Sequence, residues 1–421
     1  MSRLAEPVDL KDRVRRRLLE ERDAAIFGGS SADKRLRLRD AVRRVLDEER
    51  ILIPGTRLAA LVREIADEVA GLGPIETLLR DPTITEVMIN GPDEIYVERR
   101  GRIEPAELTL ESEEQILHLV ERVVGPLGLR VDESQPYVEA RLADGSRLHA
   151  IIPPLSLRGP VVTIRKFSVL PFTLEELAAS GTLTEPMARF LDAAVRARLN
   201  IVVSGGTGSG KTTLLNVLSA SIPAGERLIT IEDAAELRLA QRHVISLEAR
   251  PANIEGAGEV TVRDLLRNAL RMRPDRIVIG EVRGGEALDM LQALNTGHQG
   301  SLSTCHANSP QDLLVRLETM AMMAELGLPN GPIRQQIAAA LDLVVHTARF
   351  ADGSRRVVSI AEVRGLRGDG LDLHEVFGFE RSGTDSSGAV QGSFVRRRAP
   401  ACLDRICAAG AGEGLVPWPT S

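Results

Sequence analysis

The run Asn200–Leu214, NIVVSGGTGSGKTTL, constrains this chain more than any other. Ile201–Ser204 reads as a strand, and a helix is expected from about Thr212 to Ala220. Between them Gly205 and Gly210 bracket Gly206, Thr207, Gly208 and Ser209, and Lys211, Thr212 and Thr213 follow. Glycines let the backbone curl until successive N–H groups point inward at phosphate oxygens. The following helix N-terminus adds the positive end of its dipole. Lys211 places a compact charge near the β- and γ-phosphates, and the Thr212 hydroxyl suits Mg²⁺. The order strand, loop, helix separates this pattern from a chance Gly-rich turn. It implies ATP and Mg²⁺ as cofactors.

The rest of the chain supplies a sheet for that loop. With 421 residues it is too long for one ordinary core, so two or three domains are expected. From about residue 187 to 345 helix, strand and loop alternate, and 355–380 suggest two closing strands. Residues 187–380 therefore read as an α/β ATPase domain with a mostly parallel sheet. Residues 1–70 read as a helical bundle. Its apolar stripes run along Val14, Leu18, Leu19 and Ile26, along Leu36, Leu38, Val42, Val45 and Leu46, and along Leu58, Leu61, Ile65 and Val69. Gly28–Ser31 and Pro54-Gly55 separate them. Residues 71–168 read as a smaller α/β domain, with Asp144-Gly145 a hairpin turn between two of its strands. A linker, 169–186, includes a short helix. The Gly-, Ser- and Arg-rich segment 381–421 is expected to be a mobile tail.

Composition narrows the function classes. Net charge is −6, from 53 basic and 59 acidic residues, which argues against direct nucleic-acid binding. Aromatics are 3% of the chain, too few for base-stacking platforms. Only four basic residues are Lys, so abundant Arg is a trait of the whole chain and no evidence for anion sites. The three cysteines have no metal-type spacing and read as reduced thiols. The N-terminus lacks the apolar core of a signal peptide, and no run approaches the roughly 18 to 20 apolar residues of a membrane span. A cytoplasmic chain is expected, joined to a membrane through partners.

Two later strands end in acids. Leu228–Glu232 continues into Asp233 and Glu236; Glu236 could polarise an attacking water, and Glu232 or Asp233 could hold metal or organise the loop. The run RIVIGE ends in Glu281, with Gly280 where Asp is commonest, so contact with Mg²⁺ would pass through water. The plainer reading of either is a solvated carboxylate. Arg263, Arg267 and Arg271 recur every four residues on a helix, as a salt-bridged face, a subunit interface or a phosphate sensor. His298 and His306 stand at the two ends of an expected strand, Ser301–Thr304. They read as hydrogen-bonding sensors of the nucleotide or as structural histidines. A zinc site with Cys305 lacks four ligands at sensible spacing.

Together, GGTGSGKTT, ITIEDAAEL, RPDRIVIGEVRGGEA and GHQGSLSTCHANS resemble the Walker A, Asp box, Walker B and His box of type II and type IV secretion ATPases. The segments GLGPIETLLRDPTITEVMINGPDEIYVERRGRI and DESQPYVEARLADGSRLHAIIPP resemble the CpaF group, motors of tight-adherence (Tad/Flp) pili. The resemblance spans about residues 60–380. It implies a RecA-like ATPase domain behind a PAS-like N-terminal domain, and a homo-hexamer at the inner face of the cell membrane. Inner-membrane pilus platform proteins would be its partners, and pilus assembly, or retraction as well, its output. It assigns Glu236 and Glu281 to catalysis, and Arg147 and Arg165 to the phosphates. A type IV secretion or DNA-uptake motor is the alternative, and a nucleotide-dependent scaffold without turnover a third.

Overall fold

The computed structural model describes residue 14 and residues 31–48, 51, 53–69, 71–99, 101–142, 144–166, 173–250, 252, 257–324, 327–386 and 388–418. Apart from Val14, the first expected helical stripe lies outside the described residues. So do Gly28–Ser30 and the start of the expected linker. The chain divides into two compact units, Met1–Phe167 and Ser168–Ser421.

In the first unit, α1 (Ser31–Glu48) and α2 (Gly55–Val69) pack Leu38, Val42 and Val45 against Leu61 and Ile65. A short α3 (Glu76–Arg80) leads into β1 (Ile84–Ile89), β2 (Ile95–Arg99) and β3 (Arg102–Pro105). Then come α4 (Glu113–Val124), β4 (Tyr137–Arg141), β5 (Arg147–Ile151) and β6 (Val161–Arg165). The six strands form one sheet in the order β3-β2-β1-β6-β5-β4, every pair antiparallel. Alternate residues such as Val87, Ile89, Leu148, Val162 and Ile164 turn inward onto Ile116 and Val120 of α4.

The second unit starts with α5 (Leu174–Ala179) and α6 (Glu185–Arg196). Thr173 and Glu176 close a capping box on α5, and Leu174 and Leu177 enter the core, so this part of the expected linker belongs to the unit. There follow β7 (Ile201–Gly205), α7 (Lys211–Ala220), β8 (Leu228–Glu232), β9 (Val244–Glu248), α8 (Val262–Ala269), β10 (Arg276–Val282), α9 (Glu286–Asn295), β11 (Leu302–His306), α10 (Pro310–Met322) and α11 (Asn330–Ala340). The chain ends through β12 (Leu343–Arg349), β13 (Arg355–Arg367), β14 (Gly370–Thr384), β15 (Val390–Arg396) and α12 (Leu403–Ala408).

Nine strands order as β15-β14-β13-β12-β7-β11-β10-β8-β9. The six from β12 to β9 run parallel, and β13 to β15 add on antiparallel. Every residue of β7 is buried, as a strand covered on both faces requires. Its side chains split by the period of two: Ile201 and Val203 join the layer of α5, α6, α7 and α12, and Val202 joins that of α8 to α11. Among the described residues no helix is long and apolar enough to cross a membrane.

The expected mobile tail is not one. Residues 381–384 continue β14, and β15 and α12 follow. Trp418 packs with ring centroids 5.8 Å from Phe190 and 5.7 Å from Phe377, and the Arg396 guanidinium lies 3.9 Å over its ring. The segment is rich in Gly, Ser and Arg, but its Val390, Cys402 and Ile406 are all buried. The Gly, Ser and Arg that suggested disorder supply mostly its outer faces and turns.

Arg276, at the start of β10, is wholly buried. Its Nε and Nη2 donate to the two oxygens of Glu226 at 2.6 and 3.1 Å, and Nη1 donates to Val195 O and Gly300 O at 2.5 and 3.3 Å. Burial alone would push the Glu226 carboxyl up, but Arg276, with Arg198 behind it, holds it below its usual value. Arg276→Met should therefore cost about 3 kcal/mol by leaving buried acceptors short of donors. Urea denaturation of the full chain checks this, and adding Glu226→Leu should recover part of the loss.

Candidate active site

The phosphate loop leaves the end of β7 at Gly205. A side chain there would collide with Thr347 O and Ser209 Oγ, so only glycine fits. Gly208 and Gly210 take left-handed φ angles of 69° and 95°. Ser209 Oγ donates to Gly206 O at 2.8 Å and lies 2.9 Å from Thr347 Oγ1, which donates in turn to Ser204 O at 3.2 Å. The loop is thus tied to β12 before any ligand arrives. Helix α7 begins at Lys211, so Thr212 and Thr213 occupy its first turn, beside the loop amides.

Three sequence-expected residues converge on one atom. Lys211 is 7% exposed, and its Nζ donates to Gly206 O at 3.0 Å and lies 3.2 Å from His306 Nε2. The same Nε2 lies 3.2 Å from Glu281 Oε1. Burial, then the Lys211 charge, lower the His306 pKa below its usual value and favour the neutral ring. A neutral Nε2 either accepts from Lys211 or donates to Glu281, and the tautomer decides which. Glu281 Oε1 is sealed from solvent, and apart from His306 Nε2 no donor among the described residues is assigned to it. A buried carboxylate oxygen beside a phosphate loop fits the outer ligand shell of Mg²⁺.

Glu232 resolves the two roles open to the first acidic strand end. It is 3% exposed, and its Oε1 accepts from the amides of Glu236 at 2.8 Å and Leu237 at 2.9 Å. It organises the loop that carries Glu236. Gly280 explains itself here: a Cβ at that position would stand 2.8 Å from Glu232 Cγ. Arg283, given no role from the sequence, donates to Glu281 Oε2 at 2.7 Å and lies 3.6 Å from Asp233.

Other expected residues fall elsewhere. His298 follows α9, its Nδ1 3.2 Å from Ala293 O. Neighbouring Ser301 pairs with Ile201, at the start of β7, whereas the phosphate loop follows the end of that strand. His298 is therefore not brought to the loop. Arg263 and Arg267 both bind Asp289, at 2.6 and 2.9 Å, which gives the arginine stripe its salt-bridged reading. Burial pushes the Cys305 thiol up to about 11, the state of an inert core residue. In the first unit Arg147 and Arg165 stand directly opposite each other on β5 and β6, and Glu86 Oε1 is 3.5 Å from Arg165 Nε.

The sequence profile described as Type II/IV secretion system protein matches residues 68–375. The chain belongs to this family. A putative conjugal transfer protein of Mycobacterium tuberculosis is 37% identical over 356 residues, spanning 83% of this chain and all of that protein. The type IV secretion system protein VirB11 of Brucella suis is 36% identical over 71% of this chain and 91% of its own length. Among solved structures, the ATPase DotB of Yersinia pseudotuberculosis overlaps 68% of this chain and 78% of its own, with a TM-score of 0.51 at 17% identity. That likeness places the RecA-like ATPase fold in this member of the secretion family.

The pairing of Gly280 with Glu232 is open to test within this family fold. Gly280→Ala should cost about 2 kcal/mol, the scale of overpacking a filled site. In a Glu232→Ala background, which removes the obstruction, the same change should cost nothing further. Chemical denaturation of the four chains gives the coupling energy; additive losses would refute the contact.

Proposed function

We propose that this chain is the ATP-hydrolysing motor of a type II/IV secretion-type machine, and that its output is assembly of Tad/Flp-type pili. The observation that carries the hydrolase reading is the convergence of Lys211 and Glu281 on His306 Nε2, at 3.2 Å each, beside the phosphate loop. The chain is an ATP hydrolase by family, its relatives VirB11 and DotB being described as ATPases. The pilus reading rests on the resemblance of its N-terminal segments to the CpaF group.

The loop amides of Gly206–Thr213 and Lys211 hold the triphosphate, with Lys211 at the β- and γ-oxygens. Mg²⁺ bound with it would neutralise charge developing on those oxygens, and Thr212 and, through water, Glu281 fit as its holders. Glu236, its backbone pinned by Glu232, orients and polarises the attacking water. His306, whose Nε2 stands 3.2 Å from both Lys211 Nζ and Glu281 Oε1, reports the state of the site to β11. The family resemblance assigns Arg147 and Arg165 to the transition-state charge. We propose a homo-hexameric ring attached to the membrane through platform proteins, with no direct contact to nucleic acid. Retraction would use the same ring in reverse.

One observation favours a second reading: the M. tuberculosis and Brucella relatives are described as conjugal transfer and type IV secretion proteins. A motor of such a machine would keep the same chemistry and change the cargo. Deleting the gene separates them, since the pilus reading expects loss of surface pili with conjugation intact.

Purified chain should hydrolyse ATP, and Lys211→Ala and Glu281→Gln should each lower kcat at least about 100-fold. Arg147→Ala should do so by about 100-fold or more with little change in ADP affinity. Undiminished turnover in the Lys211 and Glu281 variants would overturn the assignment.

A further inference from the structure

The profile match ends at residue 375, within β14. The strands beyond it reach back to the phosphate loop through one turn. Strands β12 and β13 join at Phe350–Ser354, where Phe350 N donates to Ser354 O at 2.8 Å. Arg349 and Arg355 flank this turn as antiparallel partners. Arg355 Nε donates to Gly208 O, in the middle of the loop, at 2.9 Å. Arg349 Nη1 lies so close to Gly208 that a Cβ there would be 3.1 Å from it. Gly208 is therefore glycine for its left-handed backbone and for the guanidinium packed on it.

The turn is held from the C-terminal side. Asp352 Oδ1 accepts from Ser354 N at 2.9 Å and Ser354 Oγ at 2.6 Å, and Oδ2 accepts from Val390 N, at the start of β15, at 2.7 Å. These bonds, the Ser354 hydroxyl first and the Val390 amide next, hold the Asp352 carboxyl down at about 2. Arg356 donates to Val390 O at 2.8 Å and lies 4.6 Å from the centroid of the Phe379 ring. Phe350 packs on Phe379 at 5.8 Å, and Phe379 on Phe394 at 5.1 Å.

We propose that β14 and β15 are part of the nucleotide site: they brace the Phe350–Ser354 turn, and through it Arg355 and Arg349 set the affinity of the loop for nucleoside di- and triphosphates. Arg355 is a positioning residue. Held by its guanidinium, the Gly208 carbonyl faces outward, and the amides that follow it stay turned toward the phosphates. Arg349 adds cationic surface beside the same residue. The effect falls on binding, because Lys211, Glu236 and Glu281, which act at the γ-phosphate, lie on α7, after β8 and on β10. This rests on the reading that the loop binds nucleotide.

The test is titration of the full chain with a fluorescent ADP analogue and with ATPγS, alongside turnover and melting temperature. Arg355→Gln should raise both Kd values about ten-fold, the scale of one charge-assisted hydrogen bond, with kcat at saturating ATP within about two-fold. Arg355→Lys, which keeps a donor, should recover part of the affinity. Asp352→Asn should shift Kd in the same direction by a smaller factor, whereas Arg381→Gln on the exposed part of β14 should not shift it. A wild-type chain that binds neither probe overturns this inference together with the nucleotide reading. Wild-type binding matched by both Arg355→Gln and Arg349→Gln overturns this inference alone. So does a Kd change that only tracks the fraction unfolded.

Discussion

Everything at the site hangs on the register of one strand. β7 pairs in parallel with β11 on one side and β12 on the other, so that Gly205 stands level with His306 and with Thr347. Hydrogen bonds slanted across two ladders fix that level to within a fraction of a residue. A slip by one position would turn Ile201 and Val203 to the opposite layer, which no buried strand tolerates. Register therefore places the histidine beside the lysine and the threonine beneath the loop.

The opposite end of the same three strands is closed by Asn200. Its amide donates to Asp342 Oδ2 at 2.8 Å and its side chain to Ala340 O at 2.6 Å, while Oδ1 accepts from Gly300 N at 2.7 Å. A parallel sheet leaves orphan backbone groups where each strand starts, and one asparagine satisfies three such needs. Beside it, buried Arg276 does the same for Val195 and Gly300 while neutralising Glu226. The reactive end of the sheet carries left-handed glycines and a sealed carboxylate oxygen, while at the other end Asn200 and Arg276 pair the backbone groups around them.

What the sequence made legible was what is local. The phosphate loop announces itself because strand, glycines, lysine and helix are consecutive, and Glu281 because an apolar run ends in it. The division into a helical bundle, a smaller α/β domain and an ATPase domain with a mostly parallel sheet was read from side-chain period together with turn residues such as Asp144-Gly145. Residues whose meaning is tertiary stayed dark. Arg349 and Arg355 look like any of the chain's many arginines until β12 and β13 bring them to the loop, and Arg283 until it meets Glu281 and Asp233. Glu232 could not be told from Asp233, because the amides it caps lie on the far side of a turn. His298 misled for the same reason, since equal spacing from a strand says nothing about which end faces the ligand. The C-terminal segment misled through composition, because a few well-placed apolar residues are enough to anchor strands whose other face is wet.

The family profile match ends at residue 375, in the middle of β14, while the fold of the second unit continues beyond it. A chain cut at that residue would lose Phe377 and Trp418 from the ring of Phe190, and β13 would lose its partners at Ser359 and Ile360. The segment past residue 375 thus completes the apolar layer over one face of the ATPase sheet, where Phe377, Cys402 and Ile406 lie in the same core as α6 and β7.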